Sequence, residues 1–361
     1  MKLKRVLTVV LAVLSTYFVF QSEIVYGSEL NFSVTPVQSE YQIDKNKTYF
    51  DLLLKQGQNT DLKVILANDT DKEIKVNVDI YRATTNSNGV VEYGKNNSEK
   101  DSSLQYDISD YVTYEKKVVI PAKSSLDYIF SINMPKDKFE GLIAGGITFQ
   151  EEKPKDDKEG KKEQGLALKN EFSYVLGLLM RQQKDNGEPD LKLLSVKATQ
   201  INARNAIDYC LQNPSFTYIN SLATKADVYK EGEDKPLYSE EKKYMQAAPN
   251  SHFSLSVPLK GKKLEPGNYE IKVAAYAVLA NDGNYEFGKN QEDKPELYKY
   301  HWSFTKKFKI NREKAKELNE TDVTIPHQDN TLIYVIIGLL ILILVLLICI
   351  FLKKKGEKRN D

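Results

Sequence analysis

Apolar and polar residues alternate with a period of two along most of this 361-residue chain, and that period predicts half-buried β-strands. Leu30, Phe32 and Val34 alternate ahead of Pro36, and Tyr49 to Leu54 forms a denser apolar run. Leu62, Val64 and Leu66 alternate, Asn68 to Asp71 reads as a turn, and Ile74, Val76, Val78 and Ile80 alternate again. The spacing predicts a hairpin with one buried face. A polar, Asn- and Ser-rich loop over roughly 84–103 follows, and further strands are predicted at 118–120, 126–132 and 142–149. Residues 151–164 are crowded with charges of both signs and carry Pro154 and Gly160. Such a run needs only water, so it reads as a solvated hairpin loop, and the strand resumes over Phe172 to Met180.

Gly187 to Asp190 (GEPD) marks a boundary, after which the alternation returns at Leu191, Leu193 and Val196. It continues through 217–229 and then Phe253, Leu255 and Val257. The LEPGNY turn at 264–269 leads into Tyr269, Ile271 and Val273, Asn281 to Gly283 makes another tight turn, and Trp302, Phe304, Phe308 and Ile310 suggest the last strand. Short strands with turn signals at this spacing predict an all-β chain of two immunoglobulin-like β-sandwich domains, over 28–187 and 188–311. The good helix formers of 313–320 predict a short helix and 321–330 a polar connector, so 312–330 reads as a short stalk.

The two ends break the pattern. Lys2, Lys4 and Arg5 precede a short apolar run that exits through Val25 and Gly27, which predicts a secretory signal peptide over 1–27. Leu332 to Leu352 carries no charge, which predicts one transmembrane helix over 331–352. The cations of the 353–361 tail then predict a cytoplasmic C-terminus and an extracellular bulk. The stretch before this segment, TDVTIPHQDN, has no LPxTG-type sorting signal, so the expected location is the cell membrane, single-pass, with the ectodomain in the cell wall.

Composition narrows the function. The 51 Lys and Arg are balanced by 50 Asp and Glu and interspersed with them, so no nucleic-acid partner is expected. Cys210 is the only cysteine outside the apolar segment that holds Cys349. An ectodomain without an intrachain disulfide points to a Gram-positive exported protein. His252, His301 and His327 are far apart, and neither an HExxH nor a GxSxG string occurs. The expectation is therefore no enzyme, no catalytic residue, no metal and no cofactor.

Two strings remain as binding candidates. Gly141, Gly145 and Gly146 read as lying within one apolar strand, as a bulge or as a floor against which a sugar chain lies. Pro249, Asn250 and Ser251 read as a turn entering a strand or as a contact.

Taken in order, NFSVTPV at 31–37, LKVILAN and IKVNVDIY, VVIPAKSS and FEGLIAGGITF at 139–149 form a pattern. AAPNSHFSL at 247–255, LEPGNY, WSFTKKFKI at 302–310, the apolar segment and the Lys-rich tail complete it. The whole resembles the WxL-interacting proteins of Gram-positive bacteria. That resemblance implies a first domain that binds peptidoglycan and a second that binds a partner. The partners implied are WxL-domain surface proteins and host extracellular matrix proteins. A cell-wall glycan hydrolase and an extracellular chaperone are the rival readings, separated from it by a turnover assay and by retention on insoluble wall.

Overall fold

The computed structural model describes residues 31–96, 98–152, 172–185, 187–326 and 336–348. The expected signal peptide, nearly all of the charged loop, His327 and the basic tail lie outside the described residues, as do the ends of the apolar segment. Residues 336–348 are helical with every side chain exposed. Among the described residues no helix is long and apolar enough to cross a membrane.

The chain divides into two compact units. The first contains β1 (Phe32–Pro36), β2 (Phe50–Leu53), β3 (Asn59–Asn68) and β4 (Ile74–Arg82). Two short strands, β5 (Thr84–Thr85) and β6 (Val91–Glu92), then interrupt it. It resumes with β7 (Val112–Thr113), β8 (Lys117–Ile120), β9 (Ser124–Asn133), β10 (Leu142–Glu151) and β11 (Ser173–Arg181). Two sheets result, ordered β1-β3-β9-β7 and β2-β11-β10-β4-β8. Val64, Leu66, Phe130 and Ile132 from one meet Val78, Ile147, Phe149 and Met180 from the other, all buried. Phe130 and Phe149 meet edge-on at 6.1 Å, a geometry that suits the ring quadrupoles.

The expected hairpin over 62–80 is not formed: β3 pairs with β1 and β9, whereas β4 pairs with β10 and β8 in the opposite sheet. Asn68 directs the crossing. Its buried amide donates to the carbonyls of Lys72, Ile120 and Pro121 at 2.7, 3.1 and 3.0 Å, and its oxygen accepts from the Thr70 amide. Period two reports which face is buried, and it is equally satisfied by a hairpin and by a strand that changes sheet.

The second unit contains β12 (Lys192–Ile201), β13 (Arg204–Asn213), β14 (Ile219–Lys230), β15 (Tyr238–Ala247), β16 (Ser251–Pro258), β17 (Gly267–Leu279), β18 (Tyr285–Lys289) and β19 (Pro295–Ile310). Its sheets are ordered β12-β13-β16 and β15-β14-β17-β19-β18. Tyr209, Leu255, Ile271 and Val273 lie in the core between them. The buried Tyr209 hydroxyl shares a hydrogen bond of 3.1 Å with Thr224, and burial pushes its phenol well above the usual range. β13, β15 and β18 are not among the predicted strands. β15 is an edge strand bearing Glu240, Glu241, Lys242 and Lys243, the charge that keeps sheet edges from pairing with other chains.

Two further expectations are corrected. Residues 84–92 and 100–104, read as loop of the first domain, pack as part of the second unit. There the Ala248 amide donates to Thr85 Oγ1 at 2.8 Å and the Gln246 amide to the Gly89 carbonyl at 2.8 Å. Nor do residues 312–326, most of the expected stalk over 312–330, stand free. The helix α1 (Arg312–Thr321) is capped by Asn311, buries Ala315 and Leu318, and is followed by buried Asp322 and Ile325. Asn319 bonds both the amide and the carbonyl of Leu264, and Asp322 accepts from the Asn205 amide at 2.8 Å.

Candidate functional site

On the five-stranded sheet of the first unit the odd residues of β10 face the core, which turns Gly146, Thr148 and Gln150 outward. Gly146 pairs with Gly177 of β11, and Thr148 lies between Asp79 of β4 and Val175 of β11. Two glycines opposite one another remove the side chains from the floor of this face.

Two tyrosines lie over those glycines. Tyr49 passes over Gly177, where an added Cβ would lie 3.5 Å from the Tyr49 Cβ. The segment that carries Tyr49 is held by a polar cluster. Asp51, almost wholly buried, is 2.8 Å from Arg181 and 3.0 Å from Lys47, and the Gln42 amide donates to the Tyr49 carbonyl at 2.9 Å. The Lys47 ammonium lies 5.2 Å from the Tyr49 ring centroid. Its contact with Tyr49, and then with Asp51, raises its pKa against the opposing cost of burial. A Cβ on Gly146 would fall 2.5 Å from the Tyr93 Cβ and 2.8 Å from its carbonyl oxygen, so only glycine admits Tyr93.

Beside Gly146, Val175 is 44% exposed, an apolar side chain on a polar face. The Thr148 hydroxyl is shielded and makes no hydrogen bond to any described residue. A buried hydroxyl without a partner costs stability. Beside it the Tyr81 phenol is raised by burial and by Asp79. The arrangement is a sheet face on which two tyrosines cover a pair of glycines, with an exposed valine and polar groups beside them. Such a surface suits the alternating apolar and hydroxylated faces of a sugar chain.

The sequence-derived candidates fall differently. Gly146 belongs to this face. Gly145 faces the core, where a Cβ would strike the Tyr81 carbonyl and Ile108, and Gly141 precedes β10 with φ +92°, a left-handed turn that favours glycine. Pro249, Asn250 and Ser251 are buried. The Asn250 amide donates to the carbonyls of Ser103 and Pro214 at 3.1 and 2.9 Å, and the Ser251 hydroxyl to Ala248 at 2.8 Å. Tyr49, Tyr93, Thr148 and Gly177 escape the sequence reading, and the one signal for them is the glycine inside the apolar run YVLGLLM.

The other polar cluster lies in the second unit. Asp101 accepts from Ser103 and Gln212 and lies 2.7 Å from His252 Nδ1. Burial raises the Asp101 pKa, and its bonds to Ser103, Gln212 and His252 outweigh this and hold the carboxyl below its usual range. Among the described residues no group of three or more His, Cys, Asp or Glu side chains is placed to hold a metal.

Residues 32–151 match the family model described as the WxL-interacting protein peptidoglycan-binding domain, and residues 163–320 match its host-binding domain. The chain belongs to the WxL-interacting protein family. In this WxL-interacting protein the second match begins ahead of β11, a strand hydrogen-bonded into the first unit. It ends within α1, which agrees with the docking of that helix.

No curated protein matches the sequence. Solved structures similar to this WxL-interacting protein include one described as a chaperone-tip adhesin complex of CFA/I fimbriae. It is 12% identical, with 77% of this chain and 99% of that one covered and a TM-score of 0.28. A Salmonella enterica complex of SafA pilin with the SafB chaperone is 8% identical over 77% and 99%, with a TM-score of 0.26.

Proposed function

We propose that this is a membrane-anchored cell-surface binding protein built on two immunoglobulin-like sandwiches. Its first unit attaches to peptidoglycan and its second to WxL-domain surface proteins or host ligands. The two family matches support peptidoglycan binding and partner binding at the cell surface. The glycan lies against Tyr49 and Tyr93, and the observation that carries this is the pair of half-buried tyrosines over the facing glycines Gly146 and Gly177 beside exposed Val175. The apolar run Leu332 to Leu352 and the cations that follow it favour anchoring with the tail inside. Two modest interfaces on one anchored chain raise effective concentration, so neither requires a deep pocket.

The test is co-sedimentation of the full chain, in detergent, with purified insoluble peptidoglycan. Tyr49→Ala with Tyr93→Ala is expected to weaken retention about tenfold, at roughly 0.5–1.5 kcal/mol per lost stacking ring, while a WxL-domain partner is still captured. Undiminished retention removes this face from the account. Sustained release of soluble glycan fragments in the same tubes would favour a hydrolase instead.

A further inference from the structure

The end of the second unit from which the chain leaves for its apolar segment carries a surface that the binding reading does not use. The turn between β12 and β13 presents Ile201, 41% exposed, and Arg204. Next to it lies Val323, 67% exposed, whose amide donates to the Ala203 carbonyl at 3.0 Å. The turn after β16 adds Lys260, Lys262 and Lys263, all exposed. The Leu259 amide bonds the Asn205 carbonyl, and Gly261 lies against Thr324, which brings these turns to one end.

Charge at this end is one-sided where it is free. Glu265 pairs with Lys230, Glu317 with Lys314 and Glu320 with Lys316, and Asp322 is buried in hydrogen bonds. Lys260, Lys262 and Lys263 have no ion-pair partner among the described residues, although the Lys262 ammonium also lies 5.5 Å from the Tyr238 ring centroid. Exposed aliphatic side chains beside three unpaired lysines are the physical requirements of contact with an anionic bilayer surface. Chain length agrees. Because α1 is docked, the sequence between Pro326 and Leu332 permits a separation of at most about 20 Å, against ~3.3–3.6 Å per residue.

We propose that Ile201 and Val323, with Arg204, Lys260, Lys262 and Lys263 around them, rest on an anionic lipid surface. The inference stands on the anchoring reading above, and it turns the base of the second unit from a tethered domain into one seated on the bilayer. Seating fixes which face of that unit is presented outward.

The full chain, with Cys210→Ala and Cys349→Ser, is assembled into nanodiscs of phosphatidylcholine alone or with phosphatidylglycerol. A spin label is placed at Val323→Cys or, as the reference, at Lys235→Cys in the exposed β14–β15 turn. In anionic discs the collision rate of the 323 label with a water-soluble relaxation agent is expected to fall severalfold relative to the 235 label. Lys260→Glu, Lys262→Glu and Lys263→Glu together should restore it. Equal accessibility of both labels in discs that contain the chain overturns the proposal. Equal shielding in neutral discs contradicts the assigned lipid chemistry. A chain that never enters the discs defeats the anchoring reading, and the proposal with it.

Discussion

Single residues decide what the alternating pattern leaves open. Asn68 in the first unit has a counterpart in Asn213 of the second, whose buried amide donates to the carbonyls of Thr217 and Ala248 at 2.8 and 2.9 Å. Both sit where a strand ends and the chain passes to the other sheet. Asn68→Ala strands three carbonyl acceptors, the Ile120 one buried, so the first-unit transition in denaturant should lose about 1–3 kcal/mol. Gly146→Ala should cost a similar amount by overpacking against Tyr93, whereas Gly94→Ala, with nothing within 4 Å of its Cβ, should cost little. Asp101 gives a pH signature. Its folded pKa is depressed, so its contribution is fully present above the ordinary carboxylate range, near 4. It is lost as pH falls through the lowered folded value. Melting curves of the parent and of Asp101→Asn should therefore differ at pH 7 and begin to draw together only as pH falls below about 4, toward the lowered folded value.

At the scale of elements, the strands legible in the sequence are those with one clean buried face, such as β3, β4, β9, β16 and β17. β13 carries the same alternation, Ile207, Tyr209 and Leu211 against Asp208, Cys210 and Gln212, so its signal is present although the strand prediction omits it. β15 escapes because an edge strand carries charge on both faces. The helix over 312–321 is legible, but its docking is not. Two apolar residues in ten give little periodicity, and the ties run through Asn319 and Asp322, whose partners are far away in sequence. Asn319→Ala should accordingly destabilise the second unit by about 1–3 kcal/mol, which a free stalk would not show. Of the tyrosine-covered face, only Gly146 is readable from the sequence, since a tyrosine in a turn carries no mark of the glycine it will cover.

At the scale of the whole molecule, the two family matches and the two compact units do not share a boundary. Residues 84–92 and 100–104 belong by packing to the unit that follows them. A fragment that starts at residue 188 lacks the Thr85 hydroxyl, the Gly89 carbonyl and the Asp101 carboxylate, and so leaves the Ala248 and Gln246 amides and His252 without these partners. It should unfold at a lower temperature than the same residues in the intact chain, and its Ala248 amide should exchange faster with solvent. The central claim is that peptidoglycan lies along the outer face of β10 and β11. It is tested most directly by the amide-exchange footprint of the full chain with soluble peptidoglycan fragments. Slowed exchange is expected at 47–51, 93–96, 146–150 and 173–177 and none in 188–326. Slowed exchange confined to the second unit would contradict it.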